Sequence, residues 1–318
     1  MVMRLEKLLG RCRPIVVMYL KLLHMFSWTN DFLRKLLGKK PVLYRLEYHV
    51  ADHCNLNCKG CFHFSSLVES KEFPAFEQFK MDINRLNELF DNIGIIRLMG
   101  GEPLLNPELP RFISEARKAF PKAKIHLLTN GILYKKMEGS LLQVLRACNV
   151  ELQVSLYMPM VDKKNEMEKL FRAQGIRYWI SNPITHFGKY LNLEGTSNPR
   201  EAISGCHASR CTFLQKGFIA RCPLPFNIQH FNRRFGYNIS MEHDRIGIHA
   251  PTAEGYAVKR KLRLPMESCR YCAKIQWVKW EKGACDAENA KQADFVQCIP
   301  IPRKSPNPSI LISSHSTK

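Results

Sequence analysis

The sequence lacks a long uninterrupted apolar run. Its most apolar early stretch, Ile15–Leu20, is followed by Lys21 and His24. The stretch is too short to span a bilayer, and no small-residue cleavage site follows it. We therefore expect neither a membrane span nor a secretory signal. The 12 cysteines among 318 residues are then expected in a reducing cytoplasm, where thiols serve metals or catalysis rather than disulfides.

Acidic residues are also scarce: 28 Asp and Glu face 48 Lys and Arg, which gives a formal net charge of +20. Such a charge indicates an anionic partner, namely nucleic acid, acidic lipid headgroups or a phosphorylated substrate. The alternative is an ordinary solvated surface rich in lysine. Near the N-terminus, basic residues alternate with apolar ones such as Phe26 and Trp28. This pattern predicts a basic amphipathic helix that either lies on an anionic membrane surface or packs on the outside of the following domain.

What the sequence does contain is a compact group of thiols. Cys54, Cys58 and Cys61 lie just after the apolar run Val42–Val50. A 4Fe–4S cube normally takes four thiolates, and three this close can each hold one iron and leave the fourth iron open to a small molecule. The alternative is zinc. Structural zinc sites usually present Cys-x2-Cys pairs and close with four ligands, whereas Cys54 has a different spacing and no fourth thiol directly follows.

Around these cysteines, strand patterns alternate with helix patterns. The predicted strands are Val42–Val50, Ile95–Met99, Lys124–Leu128, Val150–Leu156 and Arg177–Ile180. The predicted helices are Phe76–Ile93, which Gly94 should end, then Pro107–Phe120, Ser140–Cys148 and Lys163–Ala173. This alternation predicts parallel β/α units, and the near-continuous apolar strands predict burial on both faces of a sheet.

Polar motifs follow the predicted strands in turn. They are the cysteine loop, Gly100-Gly101-Glu102-Pro103, Thr129-Asn130 and Ser155. In parallel α/β folds, ligands bind at the carboxyl edge of the strands. We therefore expect these motifs to converge on one site.

The spacing Cys54-x3-Cys58-x2-Cys61, followed by Gly100-Gly101-Glu102-Pro103, resembles the radical S-adenosylmethionine (radical SAM) superfamily. The resemblance covers roughly residues 43–185. It implies an α/β fold, a partial (β/α)6-type open barrel of parallel strands, with a small cysteine-rich C-terminal extension. It also implies a 4Fe–4S cluster that binds S-adenosylmethionine and reductively cleaves it to a 5′-deoxyadenosyl radical.

The resemblance assigns further cofactor contacts. Gly100 and Gly101 would let the backbone approach the cofactor without a Cβ, Glu102 would be a polar partner near the methionyl group, and Pro103 would fix the turn. Asn130 and Ser155 match positions that touch the ribose or carboxylate, although each also has an ordinary structural explanation.

One position departs from the superfamily pattern. An aromatic residue commonly precedes the third cysteine, and this chain has Gly60 there. We expect Phe62 or Phe64 to cover the cofactor instead.

A second set of cysteines begins after Gly205: Cys206, Cys211, Cys222, Cys269 and Cys272. The stretch from Cys211 to Cys222 predicts a hairpin with Gly217 at its turn, and Cys269 and Cys272 form a tight Cys-x2-Cys pair. The set is similar to the twitch and SPASM extensions of the superfamily, and a single close pair favours the one-cluster twitch form.

The similarity implies an auxiliary 4Fe–4S cluster, and a four-cysteine zinc site is the alternative. Cys206, Cys211 and Cys222 compete for two ligand places, and the sequence leaves the choice open. Cys285 and Cys298 are too widely spaced to assign, and Cys12 and Cys148 are interpreted as ordinary buried thiols.

These patterns predict a basic N-terminal segment at 1–41, the barrel at 42–200, an auxiliary-cluster domain at 201–298 and a disordered tail at 299–318. The expected function is hydrogen abstraction from a small-molecule substrate, preferably a carbohydrate or polysaccharide-related one, with a flavodoxin or ferredoxin as electron donor. The expected location is the cytoplasm, with peripheral contact to the inner face of the membrane.

Three other functions are weighed beside this one. Peptide or protein modification is the alternative within the enzyme class. A zinc-knuckle protein that binds nucleic acid through its positive charge is the alternative outside it, but the acidic Gly-Gly-Glu-Pro turn has no purpose there. A degenerate scaffold is disfavoured because Cys54, Cys58, Cys61 and Glu102 are all intact.

Overall fold

The computed structural model describes residues 30–204, 206, 211–283 and 289–297. The predicted tail and most of the predicted N-terminal segment lie outside these residues, as do Cys12, Cys285 and Cys298.

The first half of the described chain forms a parallel sheet with helical crossovers. Its strands are β1 (Val42–Ala51), β2 (Asn92–Gly100), β3 (Lys124–Thr129), β4 (Glu151–Val154) and β5 (Arg177–Ile180), each paired in parallel with the next. The connecting helices are α1 (Phe76–Leu89), α2 (Leu109–Ala119), α3 (Gly139–Ala147) and α4 (Lys164–Ala173). This architecture confirms the predicted α/β class and its parallel β/α units.

One predicted boundary is wrong. The helix expected to run to Ile93 ends at Leu89, and Ile93 and Gly94 belong to β2. A Cβ at Gly94 would lie 2.9 Å from the carbonyl oxygen of Tyr44 on β1. The glycine therefore serves the close approach of two strands and does not end a helix. Ile93 fits the apolar spacing of the preceding helix by coincidence. It is apolar because it is buried within β2.

The main core lies between the sheet and its helices. Leu46, Leu98 and Leu127 of successive strands are fully buried, as are Phe79 of α1 and Phe112 of α2. The rings of Phe79 and Phe112 lie 5.1 Å apart and both contact the ring of Tyr48. Since each buried aromatic side chain removes a large apolar area from water, this stack is a main source of stability.

The second half adds β6 (His186–Leu191), α5 (Pro199–Ser204), β7 (Phe213–Gln215), β8 (Phe218–Ala220), α6 (Leu224–Phe235), β9 (Ile246–Gly247), α7 (Gly255–Arg263) and β10 (Cys272–Lys279). The central sheet has the strand order β5-β4-β3-β2-β1-β7-β8-β9, and β10 pairs with β6 in a separate sheet. β7 and β8 are the predicted hairpin, with Lys216 and Gly217 at positive φ in its turn.

The hairpin extends the barrel sheet. β7 pairs in parallel with β1, with Glu47 opposite Phe213. The sixth parallel strand therefore comes from beyond residue 200 and lies beside β1, so the sheet continues across the predicted domain boundary. Asp82 of α1, fully buried, ties the hairpin down: its carboxylate accepts hydrogen bonds from the Gly217 amide at 2.8 Å and from Gln78 at 2.9 Å.

Residues 30–36 are helical, and they pack against the outside of the domain. Asp31 forms ion pairs with Lys259 at 2.6 Å and Arg263 at 2.9 Å, both on α7. Arg34 forms an ion pair with Asp91 at 2.5 Å. These residues therefore pack against the domain on one side, while Phe32 and Leu36 stay exposed on the other. No helix within the described ranges is long and apolar enough to cross a membrane.

Candidate radical SAM site

The three-cysteine loop begins where β1 ends, and its path depends on two left-handed residues. Asn57 has φ 51° and Gly60 has φ 73°. A Cβ at Gly60 would lie 3.3 Å from the carbonyl oxygen of Asp294. An aromatic side chain at this position would require a strained backbone and displacement of that neighbouring segment, which is a physical reason for the departure from the superfamily pattern.

Contacts from two other parts of the chain hold the loop. The side-chain amide of Asn130 donates to Asn55 at 2.8 Å and to the Cys54 sulfur at 3.6 Å. On the other side, the Lys59 amide donates to the Glu281 carbonyl, and the two side chains form an ion pair at 2.7 Å. Trp280 packs with Leu56 and Cys58. The segment after β10 therefore fixes the loop from outside the barrel.

The three thiols lie close together. Burial, with a smaller effect of the nearby Cys61, raises the pKa of Cys54 to about 11 and that of Cys58 to about 12. Thiolates are the form that binds metal, so iron must displace their protons. Thiols that lie this close together fit a metal cluster that binds them as thiolates.

Gly100 and Gly101 pack the end of β2 against the start of the loop. A Cβ on Gly100 would lie 2.0 Å from the Ala51 carbonyl oxygen, and one on Gly101 would lie 2.1 Å from that of His53. The Gly101 amide donates to Ala51 at 2.8 Å. The two glycines line the cavity beside the cysteines, and the contact that requires them is with the protein's own backbone.

Glu102 lies behind the cavity wall. It is fully buried, and its carboxylate accepts hydrogen bonds from the Thr129 hydroxyl at 2.7 Å and from the amides of Asn130 at 2.8 Å and Leu104 at 3.0 Å. Burial raises its pKa to about 7, against the effect of these hydrogen bonds. Glu102 thus joins the ends of β2 and β3. Neither Glu102 nor Pro103 is among the residues that line the cavity, so their contact with a cofactor stays a prediction.

The cavity itself has a volume of about 370 Å³. Besides the three cysteines and two glycines, its walls include Asn130, Ser155, Tyr157 and Phe62. Of the two phenylalanines proposed to cover the cofactor, Phe62 lines the cavity. Phe64 is buried in a separate core against Phe231 and Phe295.

The sequence analysis missed the polar inner wall of this cavity. Glu47 on β1 and Arg97 on β2 line it, and so does Cys211. The signal was present in β1, where Arg45, Glu47 and His49 alternate with apolar residues. Such alternation places one polar face inward, whereas the run had been interpreted simply as apolar.

A second cavity, of about 850 Å³, collects four of the five remaining candidate cysteines: Cys206, Cys222, Cys269 and Cys272. Cys222 precedes α6, and Cys272 begins β10. Burial raises the pKa values of Cys222 and Cys272 strongly, and Cys206 and Cys269 raise both further. The structure therefore brings these four thiols together at one place.

Cys211 is the exception: of the three cysteines that compete for two ligand places, it is the one that lies in the other cavity, and its role as a ligand stays a prediction. It lines the first cavity, with its sulfur 4.0 Å from Arg45, and it is absent from the lining of the second. The reason is that Cys211 immediately precedes Thr212 and β7, which the sheet holds against β1.

Among the described residues, no three His, Cys, Asp or Glu side chains converge as ligands of a single metal ion do. The ligands of an iron–sulfur cluster each bind a different iron, so they need not converge on one point.

Phe62 and Tyr190 line both cavities. Their rings pack edge to face with centroids 4.4 Å apart. Burial raises the pKa of Tyr190 well above its ordinary value, and Cys272, Cys61, Cys206 and Cys222 add to the effect. The two cysteine sites are thus neighbours separated by an aromatic wall.

Comparison with known proteins shows which family the first of these cavities resembles. Residues 48–178 match the family model described as the Radical SAM superfamily. A GTP 3′,8-cyclase of Staphylococcus epidermidis is 31% identical over 116 residues, which are 34% of this chain and 33% of that protein. A 7,8-dihydro-6-hydroxymethylpterin dimethyltransferase of Methanocaldococcus jannaschii is 33% identical over 88 residues, 28% of this chain and 17% of that protein.

Solved structures are more distant. BtrN in complex with AdoMet and 2-DOIA is 16% identical, with a TM-score of 0.47 over 81% of this chain and 100% of that one. The chain spans about a third of the length of the cyclase relatives that it matches. Residues 48–178 therefore carry the domain of the Radical SAM superfamily, a superfamily that uses a 4Fe–4S cluster and S-adenosylmethionine.

Proposed function

We propose that this chain is an enzyme that cleaves S-adenosylmethionine reductively and abstracts hydrogen from a polar small-molecule substrate. The observation that carries the proposal is the convergence of three mutually coupled thiols, the Gly100–Gly101 turn and Asn130 on one cavity. A 4Fe–4S cluster with one open iron, bound there, would supply the binding site and the electron for this cleavage.

The chain's own residues have distinct tasks in this proposal. Cys54, Cys58 and Cys61 would each hold an iron. Asn130 keeps Cys54 in place through its side-chain amide. Tyr157, which packs against Trp280 with ring centroids 5.7 Å apart, and Phe62 would exclude water from a reactive radical.

We further propose that Cys206, Cys222, Cys269 and Cys272 hold an auxiliary 4Fe–4S cluster, as in twitch extensions. Four thiolates would close the cluster, so electron transfer is its preferred role. The shared wall of Phe62 and Tyr190 supports this role because it keeps the two sites adjacent. A small acidic electron-transfer protein of the flavodoxin or ferredoxin type is the proposed donor, and the net charge of +20 favours its association.

A carbohydrate or polysaccharide-related substrate is the proposed class. The polar inner wall, with Glu47, Arg97 and Ser155 at the cavity, supports a substrate that carries hydroxyl or charged groups. For the N-terminal segment we propose peripheral contact of a cytoplasmic protein with an anionic membrane. Its support is the exposure of Phe32, Leu36 and Leu37, at 64%, 68% and 70%.

The test is anaerobic iron content together with S-adenosylmethionine cleavage. Two clusters predict ~8 irons per chain, falling to ~4 in the Cys54/Cys58/Cys61→Ala variant, with 5′-deoxyadenosine formed by the wild type alone. Cys148→Ala, which changes a cysteine outside both cavities, is the matched control. Zinc in place of iron, with no 5′-deoxyadenosine from the wild type, would refute the proposal.

A further inference from the structure

The inner face of β1 and β2 carries an unusual charge arrangement. Glu47 and Arg97 are direct partners in the parallel register, and Arg45 stands two residues before Glu47 on the same face. Arg97 approaches one carboxylate oxygen of Glu47 at 3.3 Å, and Arg45 approaches the same oxygen at 3.9 Å. Two guanidinium groups thus share one carboxylate. The layer formed by Arg45, Glu47 and Arg97 therefore keeps an excess positive charge.

Both arginines also retain unused donors. The Nε atoms of Arg45 and Arg97 are buried and have no hydrogen-bond partner in the part of the chain that the structure describes. Buried polar groups are nearly always hydrogen-bonded in folded proteins. The guanidinium edge is suited to bidentate recognition of a carboxylate or phosphate. An oxyanion bound at the Arg97 guanidinium, which lines the cavity, would therefore balance the excess charge.

Neighbouring charged groups do not supply that anion. His126 on β3 also faces this layer. Burial lowers the pKa of His126, Arg97 and Arg45 lower it as well, and Glu151 acts in the opposite direction. Glu151 on β4 is itself engaged by Gln153 at 2.7 Å and by Arg177 at 3.6 Å. The Cys211 thiol beside Arg45 has a pKa raised to about 12, mainly by burial and then by Glu47. It is therefore a neutral neighbour at physiological pH.

The location of Arg97 in the first cavity suits the binding of one end of a substrate. Glu47 and Arg97 line the same cavity as the three-cysteine loop. Arg97 lies three residues before Gly100 on β2, which is about 10 Å along a strand. An anionic group held at Arg97 would leave space of that order between itself and the glycine turn for the part of the substrate that reacts.

We propose that Arg97, which lines the cavity, binds an oxyanion of the substrate, a phosphate or carboxylate group, while Arg45 beside it adds positive charge and Glu47 is the competing internal anion. The inference rests on the proposed function for calling the ligand a substrate. It narrows the polar substrate to an acidic one, and it makes Arg97 the residue that anchors the substrate.

The test follows arginine modification by phenylglyoxal in the iron-loaded protein, with mass spectrometry to identify each site. Inorganic phosphate and sodium acetate are the probes, and sodium chloride at equal ionic strength controls for charge screening. We expect saturating phosphate or acetate to slow modification of Arg97 by about fivefold or more. Whichever probe protects at the lower concentration identifies the oxyanion. Arg177, exposed on β5 and paired with Glu151, should show no protection.

Two variants separate this inference from simple misfolding. Glu47→Gln removes the competing carboxylate, so phosphate or acetate should protect Arg97 at a lower concentration than in the wild type. Arg97→Gln should keep its iron, and phosphate or acetate should no longer protect Arg45. Equal modification of Arg97 with and without both probes, equal protection by chloride, or unchanged probe affinity in Glu47→Gln would overturn the inference.

The failure of the inference can be distinguished from the failure of the proposed function. Protection by an oxyanion is measured without turnover, so it reports the site even if no S-adenosylmethionine is cleaved. Normal iron content and 5′-deoxyadenosine formation without protection of Arg97 would remove the oxyanion site and leave the proposed function standing.

Discussion

Glu102 should make the folded chain lose stability as the pH rises. Its pKa is raised from an ordinary 4.5 to about 7 because the carboxyl group is fully buried. Between these two values the unfolded chain releases a proton that the folded chain retains, so deprotonation costs the folded state. The pKa difference of about 2.5 units corresponds to a loss of about 3 kcal/mol in the free energy of unfolding. This loss is absent below pH 4.5 and complete above about pH 7.

The measurement is urea unfolding of the wild type and of Glu102→Gln between about pH 4.5 and 8, on protein from which iron has been removed so that a cluster contributes no charge. Other titrating groups affect both proteins and cancel in the difference. The wild type should lose about 3 kcal/mol more than the variant over this range. Parallel stability curves would refute the reasoning, because they would mean that the carboxyl group is ionised in the fold without cost.

Three further perturbations test the geometry. The Cys269/Cys272→Ser variant should lower iron from ~8 to ~4 per chain, whereas Cys211→Ser should keep ~8, since Cys211 lies in the other cavity; iron loss in the latter would return Cys211 to the ligand set. Gly100→Ala should displace the cysteine loop and reduce the iron bound there, because its Cβ would meet the Ala51 carbonyl; Gly38→Ala, also at positive φ but with open space around it, should leave the iron content unchanged. Asp82→Ala should cost roughly 2 kcal/mol in urea unfolding because it leaves the buried Gly217 amide unpaired; Asp91→Ala, which breaks an exposed ion pair, should cost under about 1 kcal/mol, and equal losses would contradict this account of the hairpin.

Much of the fold could be predicted because its signals are local. The strands and helices between residues 42 and 180 follow from apolar spacing, and the observed β5 matches its predicted bounds. The Lys216–Gly217 turn was predictable because few residues other than glycine adopt its backbone conformation readily. The failure at Ile93 and Gly94 arose because apolar spacing is the same for a helix face and for a buried strand that follows it.

The candidate site was predictable only in part. The three-cysteine spacing and the order of motifs after successive strands indicated a single site at one edge of the sheet. The reason is that parallel strands present their carboxyl ends at the same edge. Which cysteines share a cavity could not be found this way. Cys211 and Cys222 flank one hairpin, yet its strands carry them to different cavities.

The sequence by itself indicated the class of chemistry, since three thiols within eight residues stay close to one another in any compact fold of this chain. The tertiary structure decided what surrounds them. The parallel pairing of β7 with β1 and the register of Glu47 with Arg97 involve residues far apart in the chain. Such long-range pairings depend on packing and burial, which no local pattern records, and they determine which cysteines line each cavity and which charged residues form the polar inner wall.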